Sequence, residues 1–186
     1  MTFKETSLKG AYEIELEVHS DERGFFARSY CSREFAEHGL NPCVVQCNVS
    51  YNGSRGTLRG MHYQAAPSGE AKLIRCARGA LLDVIVDLRP ESPTFRRWVA
   101  VELKGNPGEP SRMVYVPEGF AHGFQTLEDD TEVFYQMSEF FAPAAARGFR
   151  WNDPAFAIEW PEPVRVISER DRGYPDFDGI HAQETA

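Results

Sequence analysis

His62 stands within Leu58-Arg59-Gly60-Met61-His62-Tyr63-Gln64, and Lys72 follows ten residues later. A second histidine, His122, closes the run Pro117-Glu118-Gly119-Phe120-Ala121-His122. His62, Gln64, Lys72 and His122 are spaced as a four-ligand metal site on neighbouring strands would be. Two of the four bind metal poorly, because a protonated lysine repels a cation and offers it no lone pair, and Gln64 stands where a second histidine would serve better. The set suits an anion and a mobile proton.

Alternation along this segment puts Leu58, Gly60, His62 and Gln64 on one face, with Arg59, Met61 and Tyr63 on the other. An inward His62 would titrate near neutrality and act as a base. Taken alone it would equally suit a core histidine satisfied by a backbone carbonyl. Lys72 opens the apolar-rich run Lys72-Leu73-Ile74-Arg75-Cys76. Lysine is rarely buried without a partner, and an inward ammonium would meet charge growing on an oxygen. Tyr135 shares parity with Val133 and Met137, so it offers an inward phenolic proton or simply a strand aromatic. Asp171 reads by itself as one surface acid among many. Arg23 and Arg59 would clamp a diphosphate bidentately, although either alone is more ordinarily a solvated charge.

The elements that must position these groups are short and numerous. Tyr12, Ile14, Leu16 and Val18 alternate with glutamates as a half-buried strand, and Ala80–Leu88 reads as a strand buried on both faces. Trp98–Leu103, Met113–Val116, Gly123–Leu127 and Glu132–Met137 read as further strands. Turn signals such as Tyr51-Asn52-Gly53-Ser54 and Arg89-Pro90-Glu91-Ser92-Pro93 separate them. One helix is expected over Ser32–His38, capped by Ser32 and stopped by Gly39. This pattern means a sandwich or barrel. The Pro- and Trp-rich C-terminal third reads as an ordered wrap, with a loose end after about Asp178.

The chain's 186 residues suit a single domain, 1–186, and with 42% hydrophobic residues it can bury a full core. Its 28 acidic against 20 basic residues, a net charge of −8, disfavour nucleic-acid binding. Arg23, Arg28, Arg55, Arg59, Lys72, Arg75 and Arg78 nevertheless crowd the first half, which suits a small anionic ligand such as a phosphate ester. No run of about 18 apolar residues predicts a membrane span, and the N-terminus lacks the layout of a signal peptide. Cys31, Cys43, Cys47 and Cys76 show no CxxC spacing and read as reduced thiols. A cytoplasmic location is expected.

Five segments in order, Asp21-Glu22-Arg23-Gly24-Phe25-Phe26, Leu58 to Gln64, Ser92-Pro93-Thr94-Phe95, Pro117 to Phe124 and Trp151-Asn152-Asp153-Pro154, resemble the dTDP-4-dehydrorhamnose 3,5-epimerase family. The similarity runs from about residue 3 to about residue 178. It implies an all-β cupin fold, a double-stranded β-helix or jelly-roll barrel with short peripheral helices. It also implies a homodimeric isomerase needing neither metal nor cofactor, acting on a nucleotide-diphosphate sugar. The expected reaction inverts carbon 5, carbon 3 or both of a 4-keto-6-deoxysugar, as in dTDP-4-dehydro-6-deoxyglucose becoming dTDP-4-dehydrorhamnose.

By the same resemblance His62 is the base, Asp171 its orienting carboxylate, Tyr135 the general acid and Lys72 the enolate stabiliser. Arg23, Gln46, Asn48, Arg59 and His122 match nucleotide-sugar contacts, with Arg23 reaching across the dimer. Arg28 and Arg170 stand at two further binding positions, where glutamate and lysine are usual. Cys47, Phe140, Phe141 and Ala146 also depart from the family's pattern, at the binding periphery. A mono-epimerase or ketoisomerase, a non-catalytic sugar-nucleotide-binding cupin and a metal-dependent cupin are the competing readings.

Overall fold

The computed structural model describes residues 1–106, 108, 110 and 112–178. Among these the chain forms strands β1 (Thr2–Glu5), β2 (Tyr12–Glu15), β3 (Val18–Asp21), β4 (Gly24–Ala27), β5 (Gln46–Asn52), β6 (Leu58–Gln64), β7 (Lys72–Asp87), β8 (Trp98–Gly105), β9 (Met113–Val116), β10 (Phe120–Thr126), β11 (Thr131–Met137) and β12 (Ala146–Gly148). The helices are α1 (Ser32–Glu37) and the single turn α2 (Glu169–Arg172).

β7 is 16 residues long and belongs to both halves of the barrel. Its first half pairs antiparallel with β9 and β11, its second half with β8 and β10. One sheet therefore runs β1-β2-β9-β7-β11-β5 and the other β8-β7-β10-β6-β12. The passage between them falls near Gly79, which adopts φ +78°, a conformation that favours glycine. A Cβ there would also lie 2.6 Å from Thr131 Oγ1.

The faces of β7 follow period two within each half, and an extra residue at Ala77, where the pairing with β11 slips by one, switches the inward parity from even to odd numbers. Ile74, Cys76, Leu81 and Ile85 enter a core with Val114, Val116 and Val133 from one sheet and Val101, Leu103, Phe120 and Phe124 from the other. Burying each large apolar side chain is worth about 1.5–3 kcal/mol, so this shared core holds the two sheets face to face. Leu73 points outward to Phe35 of α1, while Val84 and Val86 point outward to Phe149 and Phe156 of the C-terminal wrap. The result is the all-β cupin jelly roll expected from the sequence.

Several boundaries differ from the sequence reading. Lys72–Cys76 and Ala80–Leu88, read as separate segments, are one strand. The Tyr12–Val18 strand is split, because β2 ends at Glu15 and β3 begins a separate two-stranded ribbon with β4. Ser32 does not cap α1: Cys31 is the N-cap residue, and its side chain makes no capping bond. The expected loose end lies outside the described residues. No helix among those described is long and apolar enough to cross a membrane.

Candidate active site

Between the sheets opens a cavity of about 260 Å³ lined by Asn48, Val49, Ser50, Arg59, His62, Lys72, His122, Phe124, Tyr135 and Met137. A second cavity of about 170 Å³ adjoins it, sharing His62 and Lys72 and lined further by Glu70, Phe141, Ala146, Arg147 and Arg170. The main cavity's lining comes from five strands, β5, β6, β7, β10 and β11. His62 lies on β6 directly opposite His122 on β10, and Lys72 at the start of β7 is opposite Met137 of β11. Tyr135 stands two residues before Met137, paired with Asn48 of the edge strand β5.

His62 Nε2 lies 2.7 Å from Asp171 Oδ1. The acid is delivered by α2, whose N-cap Ser168 accepts the Asp171 N–H through Oγ at 3.0 Å. Asp171 is 4% exposed, and its Oδ2 accepts the Gly60 N–H at 3.3 Å. Burial pushes this carboxyl up, but the hydrogen bond and charge of His62, with Gly60 and Ser168, hold it below the usual carboxylate range. An ionised carboxylate only accepts, so Nε2 carries the hydrogen and Nδ1 is left with its lone pair. The imidazole is thus set up as a base.

Tyr135 is driven the other way. Burial raises its phenol and the negative Asp83 adds to this, against smaller opposing effects of Ser50 and Arg59. At neutral pH it carries its proton and can give it. Tyr135 meets the His122 ring edge to face at 6.2 Å, and His122 Nε2 lies 2.7 Å from Asp83 Oδ2. Lys72 is 8% exposed, and its ammonium is 3.0 Å from Glu70 Oε1.

Strict alternation on β6 fails at the site. His122 pairs with His62 but Phe124 pairs with Arg59, so three steps on β6 face two on β10. This bulge turns Arg59 into the cavity beside His62, while Met61 joins the outer cluster with Phe149. Arg59 Nε donates to Asn52 Oδ1 at 2.8 Å. Gln64 lines the adjoining cavity with His62 and Lys72, not the main one, and its amide is committed to backbone groups. Its amide donates to the Ser68 and Phe140 carbonyls and accepts the Ala142 N–H at 2.7 Å, which ties the 138–142 loop to the barrel.

The remaining binding candidates divide. Asn48 and His122 line the main cavity, and Arg170 lines the adjoining one with its Nε on the Tyr174 hydroxyl at 2.8 Å. Gln46 accepts the Phe141 N–H and donates to Asn48 Oδ1 at 3.2 Å. Arg23 and Arg28 do not reach the cavity of their own chain. Arg23 sits beyond the barrel on the turn between β3 and β4, 84% exposed and paired with Asp21. Arg28 binds Glu34 at 2.8 Å.

The sequence reading missed Asp83, Glu70 and Tyr174. Asp83 had a signal: an acid inside a doubly buried strand requires a partner. Glu70 had one too, two residues before Lys72. Tyr174 had none, because it depends on Gly148, where a Cβ would come within 2.5 Å of the phenol ring that sits 5.9 Å from His62. Among the described residues no group of three or more His, Cys, Asp and Glu is placed to hold a metal ion.

The family model of dTDP-4-dehydrorhamnose 3,5-epimerase matches residues 5–179. The chain belongs to this family. The enzyme of that name from Methanothermobacter thermautotrophicus is 43% identical over 176 residues, covering 92% of each chain. The Elizabethkingia anophelis dTDP-4-dehydrorhamnose 3,5-epimerase superposes with a TM-score of 0.91 at 38% identity, covering 97% of this chain and 98% of that one. A Legionella pneumophila dTDP-6-deoxy-D-glucose-3,5-epimerase, solved with dTDP-4-keto-L-rhamnose, gives 0.85 at 35% identity and covers 94% and 92%. A 3′-monoepimerase from Streptomyces bikiniensis, solved with dTDP-quinovose, gives 0.82 at 37% identity and covers 95% and 87%. The epimerase is therefore an isomerase-class enzyme.

Asp171, with its lowered folded value, contributes stability that is present above the unfolded carboxylate value and is lost as pH falls through the folded one. Asp171→Asn should be less stable than the natural enzyme at neutral pH. The gap should begin to narrow as urea unfolding is repeated below about pH 4 and should close once pH falls through the lowered folded value, where Asp171 becomes as neutral as the Asn. A gap that persists unchanged at the acid end would refute the ionised assignment.

Proposed function

We propose that the enzyme inverts carbon 5, carbon 3 or both of dTDP-4-dehydro-6-deoxyglucose by proton transfer through an enolate. The observation that carries this reading is the meeting of a carboxylate-backed imidazole, a protonated phenol and an ammonium at one cavity. The dTDP-sugar bound in the Legionella relative supports the substrate. In such a sugar the carbon 4 ketone acidifies the neighbouring hydrogens, because the carbanion delocalises onto oxygen. His62 Nδ1 takes the proton, and Asp171 supports the imidazolium that results. Lys72 meets the charge that gathers on the oxygen, a contact worth about 3–4 kcal/mol when preorganised. Tyr135 returns a proton from the opposite face and so inverts the centre. Arg59, His122, Asn48, Gln46 and Arg170 are assigned to the sugar nucleotide, with Arg59 on the diphosphate.

The reading includes a cytoplasmic homodimer with the whole chain as one domain. Four free cysteines suit a reducing compartment. The β3–β4 ribbon, which pairs only with itself among the described strands, exposes Phe26 at 74% and Arg23 at 84%. Edge strand β5 exposes Val49 and Tyr51. These suit a second copy, and the reading assigns Arg23 and Arg28 to the ligand of a partner subunit. The likeness to a 3′-monoepimerase favours inversion of one carbon as the second reading, decided by where label enters.

In deuterated water His62→Ala should lose label entry at carbon 5 by about 10²–10⁴-fold, while dTDP binding by calorimetry is retained. Unchanged exchange would refute the base assignment. Tyr135→Phe should slow product inversion far more than label entry, because deprotonation does not use the phenol; equal losses would refute a two-face mechanism. Arg23→Ala and His62→Ala proteins, each weakly active, should regain about a quarter of natural activity when unfolded and refolded together, since half the dimers are hybrids and each hybrid has one intact site. No recovery would remove Arg23 from the partner's site.

A further inference from the structure

Lys72 has a companion that the reaction as described does not use. Glu70 Oε1 is 3.0 Å from Lys72 Nζ, with side-chain exposures of 8% and 9% respectively. Glu70 precedes β7 by two residues, the spacing at which extended chain returns a side chain to the same side. Ala71 between them turns the opposite way, into the cluster of Leu73 and Phe35. Both members of the pair line the smaller cavity beside His62, and Lys72 also lines the larger one. The ammonium therefore stands at the wall between the two cavities with a carboxylate fixed behind it. The site's other acids are committed elsewhere, Asp171 to His62 and Asp83 to His122.

We propose that Glu70 is the positioning residue of Lys72, holding its ammonium toward the sugar's carbon 4 oxygen. This deepens the function proposed above and rests on its reading of Lys72. An ammonium has three donors; Glu70 takes one and leaves two for the substrate. A lysine on a flexible four-carbon stem would otherwise spread over many rotamers. An oxyanion donor assists only if it already stands where charge will develop. Glu70 also has a cost to the enzyme, since its negative charge faces a site that takes an anion. Removing it should therefore slow the chemistry without weakening the binding of the nucleotide. A residue with a merely structural role would weaken both.

The test uses the full-length enzyme with turnover of the 4-keto sugar nucleotide and calorimetric titration of dTDP. Glu70→Gln should lower kcat by about 10- to 100-fold, as expected for losing one charge-assisted hydrogen bond. Its KM and its Kd for dTDP should stay level or fall. Glu70→Asp should recover part of the lost kcat, and it shows the same split at smaller size if the Gln variant does not fold. Natural kcat in Glu70→Gln would overturn the proposal. So would a fall in kcat matched by weaker dTDP binding. Lys72→Met, measured alongside, should lose more turnover than Glu70→Gln. If it turns over normally, the role of Lys72 fails and that of Glu70 with it; if it is inactive while Glu70→Gln is normal, only Glu70 is mistaken.

Discussion

A single hydrogen bond, from His62 Nε2 to Asp171, decides what the cavity can do. Its donor is on a barrel strand and its acceptor is on a one-turn helix 109 residues later in the sequence. Closing it requires the C-terminal wrap to be seated, which Phe149, Phe156 and Phe177 achieve by stacking on one another and on the outer face of the second sheet. Burial alone would neutralise Asp171; the imidazole, the Gly60 amide and the Ser168 cap keep it ionised. An ionised acceptor fixes the tautomer, and the tautomer leaves the lone pair at the other nitrogen. Packing far from the cavity thus sets which ring nitrogen of His62 is left open to it.

The charges in the cavity are arranged in pairs. His62 faces Asp171, His122 faces Asp83, and Lys72 faces Glu70. Arg59 in the main cavity, and Arg147 and Arg170 in the adjoining one, are exceptions, because their hydrogen bonds go to the Asn52 amide, backbone carbonyls and the Tyr174 hydroxyl. An acidic chain can therefore keep an anion-attracting cavity without burying a cluster of bare cations, which would be costly. Attraction for an anion in the larger cavity falls mainly to Arg59, whereas the histidines and Lys72 are each held by a carboxylate.

The fold class was legible because short alternating runs and turn residues carry it directly, and Ala80–Leu88 announced a doubly buried strand. His62, Lys72, Tyr135 and His122 could be nominated from parity and motif, and they do line one cavity. Asp171 could not be reached from its own neighbourhood; only the family likeness singled it out, because its partner is distant in the chain. Arg59 was placed on the wrong face, since a bulge shifts parity by one and leaves no mark in composition. Gln64 was read as a poor metal ligand sharing the face of His62, and it does line the adjoining cavity, but its bonds to three backbone groups depend on a loop whose course the sequence does not show. Ser32 looked like a cap by type, but the helix begins one residue earlier and Cys31 takes that place.

Because β7 threads both sheets, Lys72 and Asp83 both project inward from one ribbon despite their odd separation, which the extra residue at Ala77 reconciles. Deleting Ala77 would restore strict alternation and turn one of the two away from the interior.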